Sequence, residues 1–150
     1  MVSWSTFAAS APELAEAGRR LFYRHEIGEA LLATVRDDEP PRINPINVAI
    51  LGGRLLAFLL PSPKQAALAA DRRFALHTFV TAAEADEFVV RGRARVVDDA
   101  AERGAAAAAW SFEVDDDALL FEFLVETALL GERPGGAWPP RYSSWKADAG

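Results

Sequence analysis

The sequence predicts a mainly β domain with flanking helices (α+β), in which about six antiparallel strands close into a barrel. From Ala30 to Leu60, three short apolar runs are separated by turn signals rather than by helices, which favours a meander of antiparallel strands. At 150 residues the chain has the length of one domain. So many strands in one small domain protect their edges best in a barrel. We therefore predict a single domain over residues 1–150.

The first predicted element is an amphipathic helix in the stretch SAPELAEAGRRLFYRH. Ser10 is placed to cap this helix, and Glu13, three residues later, completes a capping box. Pro12 suits the first turn, since its missing N–H is not needed there. Leu14 and Leu21 belong to the apolar stripe that we expect to face the core.

Three strands are predicted next, in ALLATVR, RINPINVAIL and RLLAFLL. The segment DDEPP separates the first two, and Gly52-Gly53 separates the last two. Adjacent glycines between apolar runs are a strong signal for a tight hairpin turn. Pro45 lies inside the second strand and offers no N–H to a neighbouring strand, so we expect it at a sheet edge or a bulge.

The second half of the chain predicts two short helices and three more strands. A helix over 64–71 precedes strands over 74–80 and 86–98, a helix begins at Asp98 or Asp99, and a long strand covers 118–130. The remaining segment, 131–150, is a Pro/Gly-rich tail. Gly92 marks a bulge in the second of these strands. One face of that strand carries three arginines, which we expect to pair with carboxylates on the next strand: Arg91, Arg93 and Arg95, with Glu122 and Glu126.

Composition excludes several classes of function. The net charge of −6 argues against nucleic-acid and anionic-membrane partners, which need basic surface. The absence of cysteine excludes thiolate catalysis and Cys-based metal sites. The two histidines, His25 and His77, lack the spacing of a zinc motif, so we expect no metal site. The sequence has no signal-peptide pattern and no membrane-spanning apolar run, and we expect a cytoplasmic protein.

The segment PSPKQAAL carries the clearest candidate for ligand binding. Lys64 is a lone cation at a helix start, where the helix dipole favours negative charge. Pro61 and Pro63 restrict the loop, Ser62 adds a hydroxyl, and a helix start offers unpaired N–H groups. Donors of these kinds are typical of a phosphate site. A solvated lysine explains the same short string equally well.

The ordered series from ATVRDDEPPRINPINVAILGG through RLLAFLLPSPKQAALAADRRFALHTF resembles the core of the pyridoxamine 5'-phosphate oxidase-like family. The strand EFVVRGRARVVDD also fits, and the resemblance covers roughly residues 30–100. It implies a split β-barrel that forms a homodimer, with FMN at the subunit interface. One branch of the family binds the deazaflavin coenzyme F-420 instead.

The resemblance also implies roles for particular residues. Lys64 would bind the cofactor phosphate with Ser62 beside it, and the strand Asn44, Pro45, Ile46 and Asn47 would run along the isoalloxazine ring. Where true oxidases carry a second phosphate-binding arginine near Asn44, this chain has Arg42 two residues earlier. In the tail, Trp138, Tyr142 and Trp145 would either cover the flavin of the partner subunit or pack in the core.

Three functional hypotheses follow. The first is an FMN-dependent oxidoreductase acting on a small-molecule substrate, in which the cofactor carries the electrons. The second is an F-420-dependent reductase of the same fold. The third is a flavin- or haem-binding protein without turnover, in which His25 or His77 would matter more than Lys64.

Overall fold

The computed structural model describes all 150 residues and contains one antiparallel sheet of eight strands with four α-helices around it. No helix is both long and apolar enough to cross a membrane. The helices are α1 (Trp4–Ser10), α2 (Pro12–Phe22), α3 (Pro63–Asp71) and α4 (Ala100–Ala109). The strands are β1 (Glu29–Thr34), β2 (Arg42–Asn47), β3 (Ala49–Leu51), β4 (Arg54–Leu59), β5 (Arg73–His77), β6 (Glu87–Val96), β7 (Leu119–Glu132) and β8 (Arg141–Lys146).

The sheet closes on itself because its two end strands are successive parts of the chain. The strand order is β2-β1-β5-β6-β7-β4-β3, and only Val48 separates β2 from β3. The segment therefore pairs with β1 before Val48 and with β4 after it. If β2 and β3 are counted as one continuous strand, six strands surround the barrel. The eighth strand, β8, pairs with the end of β7, beyond the part that pairs with β4. The predicted α+β split barrel is confirmed.

The core fills the barrel and extends under the N-terminal helices. Phe7 of α1 and Phe22 of α2 are at most 1% exposed and pack around Phe88 of β6. Gly18 permits this contact, since a Cβ there would lie 2.4 Å from the Phe88 ring. Burying aromatic side chains of this size contributes about 1.5–3 kcal/mol each. The N-terminal helices thus cover one side of the barrel.

A second, smaller core lies on the outer side of β4 and β7, beneath α4. It contains Leu56, Leu120, Val97 and Ala106, all buried. Ala106 is the one buried residue of α4, and it provides the contact with this core. As a result, β4 and the first part of β7 are covered on both faces, one by the barrel interior and the other by α4.

Local sequence signals correctly located one turn, one irregularity in strand pairing and two helix starts. Gly52 and Gly53 have φ of 57° and 74°, the left-handed values that a tight hairpin turn needs. The pairing of β6 with β7 shifts register between Arg91 and Gly92, as expected for a bulge. Asp99 caps α4 by accepting from the N–H of Glu102, and Pro12 occupies the first turn of α2.

Two predictions at the chain ends were wrong. Ser10 does not cap α2: it ends the unpredicted helix α1, and the N-cap of α2 is Ala11, which has no side-chain hydrogen bond. The Ser10 hydroxyl instead accepts a hydrogen bond from the indole of Trp145. That indole belongs to β8, a strand within the segment described as a tail, which forms by pairing with the end of β7.

Candidate functional site

The strand β2 lies at an open edge of the sheet and brings four of the predicted site residues together. It pairs only with β1, where Pro45 lies opposite Leu31. The edge position accommodates a residue that cannot donate a ladder hydrogen bond, as predicted. Ile46 is buried in the core, Asn44 is half-buried, and Asn47 is exposed with its amide donating to the carbonyl of Gly28 at 3.3 Å.

Lys64 lies in the first turn of α3, and its ammonium group forms no ion pair. Ser62 is the N-cap: its hydroxyl accepts from the N–H of Gln65 at 3.3 Å and donates to the carbonyl of Leu60 at 2.9 Å. Lys64 follows Pro63, is half-exposed, and forms no ion pair within 4.0 Å. The Ser62 hydroxyl is therefore used by the loop itself, whereas the Lys64 ammonium remains available to an anion.

Lys64, Ile46 and Asn47 line one open cleft of about 250 Å³. The opposite wall comes from the segment that follows α4, where Trp110 packs edge-to-face on Phe58 with ring centroids 5.1 Å apart. Phe112 lies on the same wall and is 49% exposed. The cleft lining thus combines one cation, Lys64, with three aromatic side chains, Phe58, Trp110 and Phe112.

The aromatic wall was not predicted from the sequence. The segment that contains Trp110 was interpreted only as the end of an alanine-rich helix. The available signal was WSF directly after that helix, two large apolar residues in a segment that is otherwise polar. The tertiary fold brings this segment beside β2. Trp110 and Asn47 together also line a second, smaller cleft of about 170 Å³ next to the first.

The cleft carries negative charge as well. Glu113 and Asp115 line it, and neither carboxylate forms an ion pair. Arg103 lies nearby, with its guanidinium 5.2 Å from the Phe58 ring centroid, but it donates to the backbone carbonyl of Asp115 at 3.1 Å. Lys64 is thus the one cationic side chain in the lining.

Five of the predicted site residues do not line this cleft: Arg42, Asn44, Pro45, Ser62 and Trp145. Arg42 donates to Glu39 at 3.0 Å and does not line the cleft. Trp145 donates to Ser10 at 2.9 Å and packs against Phe7 with ring centroids 4.9 Å apart. Within one chain Trp145 is therefore a packing residue beside a separate cleft of about 590 Å³ between α2 and β8.

The arginine face of β6 is partly as predicted. Arg95 lies opposite Glu122 and donates to its carboxylate at 2.7 Å, and Arg54 of β4 donates to the same oxygen at 2.9 Å. Glu122 is only 2% exposed. Burial by itself raises the pKa of Glu122, but the hydrogen bonds from Arg54 and Arg95 outweigh it and hold the pKa below its ordinary value. The rest of the expected pairing was wrong, since Arg91, Arg93 and Glu126 are exposed and form no ion pair.

The two histidines differ in the use of their ring nitrogens. In His77, Nδ1 lies 2.6 Å from the carbonyl of Thr78 and Nε2 lies 3.1 Å from Glu87. In His25, Nδ1 lies 3.3 Å from Glu29 and Nε2 has no protein partner. No group of three or more His, Asp and Glu side chains is arranged to hold a metal ion.

Together these features suit binding rather than acid-base chemistry. The cleft contains no histidine, and none of its residues forms the paired nucleophile and base of a hydrolase. One unpaired ammonium beside a helix start suits an anionic group such as a phosphate, and three aromatic side chains suit a planar ring. The lining therefore offers one cation and several aromatic faces, beside the carboxylates of Glu113 and Asp115.

Comparison with solved structures identifies the fold. A haem-binding protein from Mycobacterium smegmatis aligns with a TM-score of 0.62 at 18% identity over 87% of this chain, which spans 57% of that protein. An FAD-binding protein from Mesorhizobium loti aligns at 0.56 and 19% identity, over 79% of this chain and 91% of its own. A protein from Clostridium acetobutylicum, related to general stress protein 26 and of the pyridoxine phosphate oxidase family, aligns at 0.60 and 14% identity over 95% of both.

These likenesses show that the chain has the split β-barrel fold of pyridoxamine 5'-phosphate oxidase family proteins, as the sequence resemblance indicated. At such identities they establish the fold alone. No protein-family model and no curated protein sequence matches the chain.

Proposed function

We propose that the protein is an FMN-binding flavoprotein that acts as an oxidoreductase on a small-molecule substrate. The observation that carries the proposal is the unpaired Lys64 ammonium in the same cleft as β2 and an aromatic wall. The likeness to an FAD-binding protein and to pyridoxine phosphate oxidase family proteins supports a flavin over other planar ligands.

Each part of the cleft has a role in this proposal. Lys64 binds the phosphate by a charge-assisted hydrogen bond. The backbone of β2 around Ile46 and Asn47 orients the isoalloxazine ring at the open sheet edge, while Trp110 and Phe112 exclude water from it. Bound FMN would supply the hydride or electron chemistry, which explains why the cleft needs no acid-base pair of its own.

A second copy of the chain would complete the site. The cleft of about 250 Å³ is open and below the roughly 300–1,000 Å³ of most small-molecule sites. Ile43 lies on β2, whose outer edge pairs with no strand, and is 67% exposed. Leu60, which lines the cleft, is 52% exposed. A homodimer formed across β2 would cover this apolar surface and enclose the ligand.

Haem binding is the second candidate, supported by the free Nε2 of His25. A metal-bound histidine ordinarily donates its other ring nitrogen to a carboxylate or carbonyl, and Nδ1 of His25 faces Glu29. The His25 side chain is 66% exposed and open to a ligand. A haem-binding protein is also among the similar structures. His77, with both nitrogens engaged, is the weaker candidate.

The visible spectrum of the purified protein, followed by titration with FMN, F-420 and haem, tests these proposals. We expect saturable FMN binding with a shift of the flavin bands and quenching of flavin fluorescence. A Soret band that is lost in His25→Ala would instead favour the haem protein. If neither FMN nor F-420 shows saturable binding, the flavin proposal is overturned.

A further inference from the structure

The outer side of β2, β1, β5, β6 and the second half of β7 forms an open sheet face. Partners across an antiparallel sheet point to the same side, so a row of side chains can be followed from strand to strand. One row crosses this face to β8 and is at least partly exposed: Pro45, Leu31, His77, Val89, Leu129 and Ser144. The residues that alternate with it, such as Leu32 and Val90, are buried in the barrel. A solvated sheet face is normally polar, whereas this row is mostly apolar.

The next row extends the apolar surface and then becomes basic. It begins with Ile43, which is 67% exposed, and leads across β1 and β5 to Arg91 of β6. Lys146 of β8 lies at the far end of this row, and Arg93 follows on the same side of β6. None of these three cations forms an ion pair. Since Glu126 is the one exposed, unpaired carboxylate beside them on β7, this end of the face is positive.

The opposite end of the open sheet face is acidic. Glu29 and Glu87 lie two residues before Leu31 and Val89 on their strands, which places them about 6.6 Å beyond the apolar row. Each carboxylate has a histidine as its ion-pair partner and no arginine or lysine, and both side chains are 34% exposed. The face therefore has a negative end, an apolar middle and a positive end along the strand direction.

This arrangement of charge is complementary to a second copy of itself. Two copies of one face meet about a two-fold axis that lies between them. With the axis along the strands, each end would meet a like charge, which costs free energy. With the axis across the strands, the strands of the two copies run in opposite directions, and each acidic end meets a basic end. The charges thus favour one of the two orientations.

We propose that the open sheet face binds a second copy of the chain, with the acidic end of each copy against the basic end of the other. The inference rests on the homodimer of the proposed function and specifies its surface and its orientation. Strand β2 contributes Ile43 and Pro45 to this face and Ile46 and Asn47 to the lining of the flavin cleft. The contact between the two copies therefore extends to the edge of the cleft.

Sedimentation of the purified full-length protein over a range of concentrations tests the inference with two charge-reversal variants. The basic-end variant is Arg91→Glu combined with Arg93→Glu, and the acidic-end variant is Glu29→Lys combined with Glu87→Lys. The matched control is Arg19→Glu, which reverses an exposed cation on α2, outside the face. Circular dichroism and urea unfolding check that each variant is folded.

Each variant has the same charge at both ends of the face, so its two copies repel each other. Because every contact occurs twice in a two-fold dimer, we expect the dissociation constant of the dimer to rise at least about tenfold for either variant. An equimolar mixture of the two variants pairs unlike ends again and should restore the dimer. The control should dimerise like the wild type.

A third variant tests the apolar middle of the face. Val89→Lys places a charge at its centre and should also weaken the dimer at least about tenfold, because the ammonium would be desolvated. Val96→Lys is its control: Val96 lies on the same strand and is 39% exposed, but it lines a separate cleft beside α3. This control should leave the dimer unchanged.

Two results would overturn the inference while the homodimer itself stands. One is a dimer that neither the charge reversals nor Val89→Lys weakens, since the copies would then meet through another surface. The other is a pair of charge variants that remain monomeric when mixed, since the ends would not face each other as described. A wild-type protein that is monomeric at all concentrations would overturn the inference together with the proposed homodimer, whereas FMN titration tests the flavin site separately.

Discussion

Replacing Glu122 with glutamine removes the negative charge on which two arginine side chains converge. Arg54 and Arg95 both donate to the same carboxylate oxygen, at 2.9 and 2.7 Å. Breaking a buried ion pair costs about 3–5 kcal/mol when the partner charge is left uncompensated, but Arg54 also lies 3.6 Å from the Glu102 carboxylate and keeps that partner. The Arg95 side chain is 54% exposed and contributes only on the surface scale of about 0.2–1 kcal/mol. Since glutamine keeps an acceptor oxygen, we expect a loss of about 2–4 kcal/mol in the free energy of unfolding.

The pH dependence of this effect follows from the pKa of Glu122. Its folded-state pKa lies below the ordinary value of 4.5, so the ionised carboxylate stabilises the fold above that value. This stabilisation is lost as the pH falls through the folded-state pKa. The difference between wild type and Glu122→Gln should therefore be full at neutral pH and should shrink in acid below the ordinary pKa.

Urea unfolding at neutral and acidic pH measures both quantities, with Glu126→Gln as the matched control. Glu126 lies on the same strand but is exposed and unpaired. Its replacement should change the free energy of unfolding by no more than about 0.5 kcal/mol. If both variants lose the same stability at neutral pH, or if the Glu122→Gln deficit persists undiminished in acid, the charge cluster does not stabilise the fold as described.

Three further predictions concern packing and assembly. Gly92→Ala should lower the free energy of unfolding by about 1–3 kcal/mol, since a Cβ there would lie 1.9 Å from the carbonyl oxygen of Leu124. By contrast, a Cβ at Gly104 in α4 would meet no atom within 4 Å, so Gly104→Ala should raise the free energy of unfolding by up to about 1 kcal/mol. Thermal melts of both variants measure these changes. Trp145→Phe removes a hydrogen bond and should cost about 0.5–1.5 kcal/mol of stability without changing FMN affinity; a fall in affinity alone would place this side chain over a flavin. Sedimentation at micromolar concentration should show a dimer, and a monomer at all concentrations would count against the completed site.

Much of the barrel was predictable because its turns and caps carry local signals. The glycine pair at 52–53 and the proline at 45 have few other structural uses, so one sequence sufficed to place a hairpin and an edge strand. Asp99 likewise identified the start of α4 by the geometry of a helix N-cap.

The elements that were missed depend on tertiary packing. β8 has a sequence, RYSSWK, with little apolar alternation, and it forms because β7 extends past β4 and offers a free edge. The pairing of Glu122 with an arginine of β6 was predicted, but its burial and its second partner, Arg54 of β4, follow only from the tertiary fold.

The candidate site was predictable only in part, for the same reason. Lys64, Ile46 and Asn47 belong to one continuous stretch of chain, and the structure brings them to one cleft. The opposite wall, Trp110 and Phe112, comes from a segment about fifty residues later that no local signal connects to β2. Trp145 was grouped with the site because the family resemblance implied that it covers the flavin of a partner subunit, and within the chain it packs against α1.

The measurement that tests the central claim most directly compares FMN with riboflavin on wild-type protein and on Lys64→Ala. If Lys64 holds the phosphate, its loss removes a charge-assisted hydrogen bond worth roughly 1.5–3 kcal/mol and weakens FMN binding by about 10- to 150-fold. Riboflavin lacks the phosphate and should bind both forms alike. The free energy of unfolding without ligand should hardly change, since Lys64 forms no ion pair and lies at the unfavourable end of the helix dipole. Equal FMN affinity for both forms would contradict the account, because Lys64 would then be only a solvated surface residue.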